Sequence, residues 1–184
     1  INDQWHFPIG KNPNYGIDIA TGIVFSGSIP FLSVLFKIFE DFLPSNFHYF
    51  SLWIFICIFL QSFISYLIIY IKTKNFAFSV IGSLFFLISP VFISQIMKNV
   101  ALAGQWLILL AFYIEIKNIP NKKIFYWAVL ISLSALIHFY FTIILFGMFF
   151  LFIFNEYLIN FNFKKIILQI SIPTFFLLIT MYTF

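Results

Sequence analysis

From Ile124 to Phe154 the chain runs through "IFYWAVLISLSALIHFYFTIILFGMFFLFIF" with one strongly polar group, His138. As a single helix this run of about 31 residues would reach some 46 Å, against a hydrocarbon core of about 30 Å. Either the histidine sits deep in lipid and is functional, or the run is two helices that turn beside it. The choice orients everything else in the chain.

A soluble fold is excluded first. The 184 residues are 62% hydrophobic and 9% charged, with mean hydropathy +1.05, where soluble domains carry about 25% charged residues. The chain is therefore an integral membrane protein. The thirty Phe, with ten basic residues that are all Lys, reflect codon bias more than chemistry. The net charge of +4 is dispersed over short loops, as topology signals are, and does not form a nucleic-acid patch. Cys57 stands alone, which leaves no disulfide framework and no cysteine metal site. The chain opens on Ile1 and is still apolar at Phe184; we expect a fragment of a longer polytopic protein with at least one helix upstream.

Residues 1–22, "INDQWHFPIGKNPNYGIDIATG", are dense in Pro and Gly and predict a structured loop. In the apolar segment 23–43 only about eight residues separate Pro30 from Lys37, too few to span, so Pro30–Phe42 is expected to lie along the interface. Residues 1–50 thus form an outer loop with an interfacial helix, and 51–184 a transmembrane region. Within the latter, spans are expected near 51–71, 76–93 (closing at Pro90), 100–116 and 166–184. Lys72 and Lys74 follow the first span, and Lys117, Lys122 and Lys123 the third. Lysine-rich short loops stay in the cytoplasm. A hairpin in the long run also puts Lys164 and Lys165 there, giving seven lysines inside and three outside, whereas a single crossing divides them evenly. The bias favours helices near 124–137 and 139–157, with His138 at the outer surface. The expected architecture is an all-α, polytopic transmembrane helical bundle.

That topology gathers the N-terminal loop, the turn "SQIMKNVALAGQW" (94–106) and the His138 turn on one face. The lysine loops opposite are expected to carry little chemistry. On the outer face Trp5 and Tyr15 can cover apolar sugar faces, and amides such as Asn99 and Gln105 can bind hydroxyls. Lys98 can pair with phosphate as a point charge, and His138 is the leading candidate for ligand contact. Structural alternatives stand beside each: an interfacial aromatic belt for Trp5 and Tyr15, snorkelling for Lys98, and a helix-turn role for His138. Ser and Thr within the spans read as helix packing.

"WHFPIGKNPNYGIDIATGIVFSGSIPFLSVLFK", "FHYFSLWIFICIFLQSF", "ALAGQWLIL" and "LIHFYF" together resemble an uncharacterised family of bacterial multi-pass membrane proteins, similar in turn to a branch of the GT-C membrane glycosyltransferases. The resemblance implies a GT-C-like bundle in the bacterial inner (cytoplasmic) membrane with a periplasmic site. It also implies a polyprenyl-phosphate sugar donor, a glycan or lipid acceptor, and a loop carboxylate acting as general base or as ligand to a divalent metal. Asp18 and Asp3 are the catalytic candidates available here, the family's main carboxylate lying upstream. Gly27 stands where an acidic residue often precedes Ser-Ile-Pro, and Gln105 where a histidine is usual. Two other functions fit the same composition. A transport or polymer-handling protein of surface-polysaccharide export would place ionisable groups along a mid-bilayer path, and a non-catalytic membrane scaffold would need none.

Overall fold

The computed structural model describes residues 9, 11–12, 21–22, 27–44, 47–117, 122–160 and 163–184. Two short strands, β1 (Lys11–Asn12) and β2 (Thr21–Gly22), pair antiparallel with Lys11 opposite Gly22. Among the described residues all else in regular form is helical: α1 (Pro30–Lys37), α2 (Phe50–Thr73), α3 (Phe76–Ile88), α4 (Pro90–Lys98), α5 (Trp106–Lys117), α6 (Lys123–Ile137), α7 (Phe139–Asn160) and α8 (Phe163–Thr183).

Large side chains face outward along these helices: Phe85 is 73% exposed, Leu151 70% and Leu178 67%. Water would penalise such a surface heavily, whereas lipid covers it. Phe50–Thr73, Val100–Lys117, Phe139–Leu158 and Ile166–Thr183 are each long and apolar enough to cross a membrane, and the bent α3–α4 pair makes a fifth candidate. The chain is a multi-pass membrane protein.

α1 has eight residues, about 12 Å and too short to cross. Pro30 occupies its first turn, where the missing N–H costs nothing. Its buried Leu32 joins the core, and Phe36 stacks 6.0 Å from Tyr49 at the head of α2. α2 and α3 pack through small residues, Ser79, Gly82 and Ser83, which let the backbones approach. Ser65, Ser79 and Ser83 bond back to carbonyls of their own helices, in keeping with packing.

Two expected spans are less regular than the sequence suggests. The helix that begins at Phe76 closes at Ile88, just before Pro90, and a second helix, bent from it by 45°, runs on from Pro90 to Lys98. A proline disfavours helical geometry in the residue before it, and Ser89 is extended at ψ 123°. The segment 100–116 is not one α-helix: Val100–Ala103 forms a 3₁₀ turn, and α5 starts only at Trp106.

The long run does break at His138. Its φ of −164° and ψ of 130° separate α6 from α7. Ser134 Oγ and Thr142 Oγ1 lie 3.1 Å apart, and Trp127 packs on Phe149 at 5.3 Å. In each pair the two residues are equally distant in sequence from His138, so α6 and α7 fold back on each other as a hairpin. α8 then packs along α6.

Candidate functional site

Four separated segments converge at one end of the bundle. The Tyr49 hydroxyl donates to the Ser28 carbonyl, and Trp53 Nε1 donates to the Val100 carbonyl at 2.8 Å. Gly104 lies where the head of α2 meets the hairpin break: a Cβ there would stand 3.2 Å from Phe141, 3.3 Å from Ile137 and 3.4 Å from Trp53. A glycine permits the 3₁₀ turn to press into that corner. Ile29, fully buried before α1, holds φ 51° and ψ 72°, left-handed backbone costing a β-branched residue about 1–3 kcal/mol. The tightly packed corner over-determines it. Ile9 N–H donates to the Thr183 carbonyl at 2.9 Å, tying the N-terminal loop to the last turn of α8 at this same end.

Beside this corner a groove of about 410 Å³ opens between α2, the α3–α4 bend, α5 and α7. Phe86, Ile108, Leu109 and Ile144 supply apolar wall; Gln61, Gln95, Gln105 and Ser89 supply polar atoms. Gln61 lies at the middle of α2 and is only 3% exposed, yet its Oε1 has no hydrogen-bond partner. An unpaired buried acceptor costs about 1–3 kcal/mol.

His138 does not itself line the groove; its ring stacks at 5.0 Å on Tyr140, which does. It caps both helices of the hairpin. Its N–H donates to the Ser134 carbonyl at 2.9 Å, closing α6, and its Nδ1 accepts from Tyr140 N–H at 3.3 Å, opening α7. That bond requires a lone pair on Nδ1, so the neutral ring carries its proton on Nε2. Burial holds the imidazole below its ordinary range, which favours the neutral form.

Of the remaining sequence candidates, Gln105 lines the groove, and Asn99 sits at the turn between α4 and the 3₁₀ segment, its Oδ1 close to Gly27. Lys98 is exposed in the last turn of α4 and is not among the groove's lining residues. Asp3, Asp18, Trp5 and Tyr15 lie outside the described residues. Among the described residues no three His, Cys, Asp or Glu side chains are grouped as a metal would require.

Two features escaped the sequence reading. Gln61 is the single amide in an otherwise apolar span, a signal that the count of charges passed over. The second is a polar cluster at the lysine-rich end. There Glu115 pairs with Lys123 at 2.6 Å and accepts from Trp127 Nε1 at 2.8 Å, while Gln169 Nε2 donates to Glu156 at 3.2 Å. A lone acid inside the α5 span, eight positions before a lysine, was the available signal.

An all-α bundle with four helices long and apolar enough to cross a membrane places the chain in the class of polytopic membrane proteins. Within that class it belongs to the DUF6311 family, a domain of unknown function, whose pattern matches residues 1–184. No curated protein and no solved structure matches the chain.

Proposed function

We propose that this protein is a membrane glycosyltransferase of GT-C-like type that takes a sugar from a polyprenyl-phosphate-linked donor at the periplasmic face of the bacterial inner membrane. The groove carries the reading: hydrocarbon walls suit an isoprenoid chain, and Gln95, Gln105 and Gln61 are neutral amides of the kind that bind sugar hydroxyls. In this reading the corner of the bundle that holds Gly104 and the hairpin break faces outward, and α1 lies along the membrane surface.

Asp18 or Asp3 accepts the proton of the acceptor hydroxyl as its oxygen attacks the anomeric carbon. The bond from that carbon to the donor phosphate breaks with inversion, and the polyprenyl phosphate leaves with the electron pair. Lys98 and Asn99 offset the charge on that phosphate, and the His138 Nε2–H is available as a further donor. Trp5 and Tyr15 stack on the acceptor.

Membranes containing the chain, incubated with radiolabelled polyprenyl-phosphate sugars, test this. Transfer of label to a glycan or lipid acceptor is expected, and it should be abolished by Asp18→Asn and reduced by Gln105→Leu at normal expression. A preparation that binds the donor but transfers nothing would remove the enzymatic reading.

One observation favours transport or polymer handling as a second reading: Gln61 is a polar group at mid-span in α2. Translocation of labelled donor across sealed vesicles, without transfer, distinguishes it.

A further inference from the structure

A second recess, of about 250 Å³, lies between α5 and α6 at the lysine-rich end. Its mouth is Lys117, Tyr113 and Tyr126; its depth is Leu110, Leu130 and Leu133. The helices run antiparallel, so the polar residues cluster where α5 ends and α6 begins. The apolar wall then continues for the seven residues back to Leu110, about 10 Å. Lys117 Nζ is held 3.1 Å from the Tyr113 hydroxyl and 5.4 Å above its ring, which orients an exposed ammonium over the opening.

The charges beside this mouth do not balance. Lys123 is neutralised by Glu115. Lys117 and Lys122 have no carboxylate within ion-pair distance among the described residues, and Lys122 stands one turn before Tyr126, whose N–H bonds to its carbonyl. A cationic, hydroxyl-bearing rim above an apolar slot complements an amphiphile with a phosphate head and a hydrocarbon tail. Basic recesses between membrane helices are used in this way for anionic lipid head groups.

We propose that the α5–α6 recess binds one anionic glycerophospholipid of the surrounding leaflet. Its phosphate is held by Lys117 and the Tyr113 and Tyr126 hydroxyls, and one acyl chain lies against Leu110, Leu130 and Leu133. Lys122 adds long-range attraction. The site is separate from the amide-lined groove and does not depend on the glycosyltransferase reading.

The test is native mass spectrometry of the full chain released from mixed phosphatidylglycerol–phosphatidylcholine nanodiscs. Preferential retention of one phosphatidylglycerol is expected. Lys117→Gln should weaken it about fivefold, the ratio that one lysine near an anionic surface supplies. Lys117→Arg should keep it, and Leu133→Trp, which fills the slot without changing charge, should abolish it. Lys74→Gln, at another loop, serves as the control and should leave retention intact. Equal retention of the two lipids by the unaltered chain would overturn the proposal, as would loss on Lys74→Gln equal to that on Lys117→Gln. If Lys117→Gln lowers the yield of folded protein, the Arg and Trp variants decide between the outcomes.

Discussion

Replacing Gln61 by methionine separates what stabilises this bundle from what the groove is for. The amide is 3% exposed and its Oε1 is unpartnered, so the folded chain bears a desolvation cost of about 1–3 kcal/mol. Methionine has similar length and volume and no polar atoms to desolvate. Gln61→Met should therefore stabilise the ligand-free chain by about 1 kcal/mol or more, which for a chain of this size is a rise in Tm of at least about 2 °C. Affinity for a lipid-linked sugar should move the opposite way. A lost neutral hydrogen bond is worth about 0.5–1.5 kcal/mol, a weakening of about three- to tenfold. Thermal unfolding in detergent, with and without labelled donor lipid, reads both quantities from one preparation. A variant at least 1 kcal/mol less stable than the unaltered chain would show that the amide is structural, and the reasoning would fail.

Three further outcomes follow from the packed corner and the two ends of the bundle. His138→Ala should cost about 0.5–2 kcal/mol as a lost cap while His138→Asn should cost less, measured by thermal unfolding. Because burial lowers the His138 pKa from its ordinary 6.5, the neutral cap contributes fully above that pH and is lost as pH falls below it. The unaltered chain should lose stability on acidification there and the Asn variant should lose less. Gly104→Val should destabilise by about 1–3 kcal/mol through overpacking against Trp53, Ile137 and Phe141, with a matching change in tryptophan fluorescence; an unchanged Tm would mean that the corner is loose. Glu115→Gln should cost about 1–3 kcal/mol, since it removes the charge that faces Lys123 and weakens the acceptor of Trp127 Nε1, and adding Lys123→Met should recover part of the loss in a double-mutant cycle.

The break at His138 was legible because two independent constraints agreed on it: a run too long for the bilayer and a lysine distribution that a single crossing would disturb. α2 was legible within two residues at each end, as an uninterrupted apolar span bounded by polar sequence usually is. The close of α3 beside Pro90 was legible, but the second helix that starts there was not: a proline can begin a new helix as readily as it closes an old one, and α4 packs against the 3₁₀ turn with Phe92 buried. The 3₁₀ start of the 100–117 segment was hidden for a related reason. "VALAG" has no turn signature of its own, and the tight turn is drawn out by the Trp53 bond to Val100 and by the space that Gly104 leaves for Phe141.

The site was legible in its location more than in its members. Charge bias and span lengths named the segments that meet at the Gly104 corner, but counting charges ranks residues by ionisation, and a membrane groove ranks them by burial. Lys98 is ionisable and exposed; Gln61 is neutral, buried and unpartnered. In water an exposed lysine and a buried glutamine would be comparably ordinary. In a bilayer the lysine can snorkel at little cost, whereas an amide fixed at mid-span has no water to satisfy it. Its neighbours reinforce the point: Ser65 and Ser83 on the same helix pair donate their hydroxyls to backbone carbonyls one turn away, an option closed to the amide oxygen, which can only accept. The same criterion singles out Gln169 at the opposite end, 5% exposed with a free Oε1. There, however, the adjoining cavity is only about 10 Å³, enough for about one water and no larger ligand. Volume, added to burial and a missing partner, therefore distinguishes the groove at Gln61 from a polar contact that a single water completes.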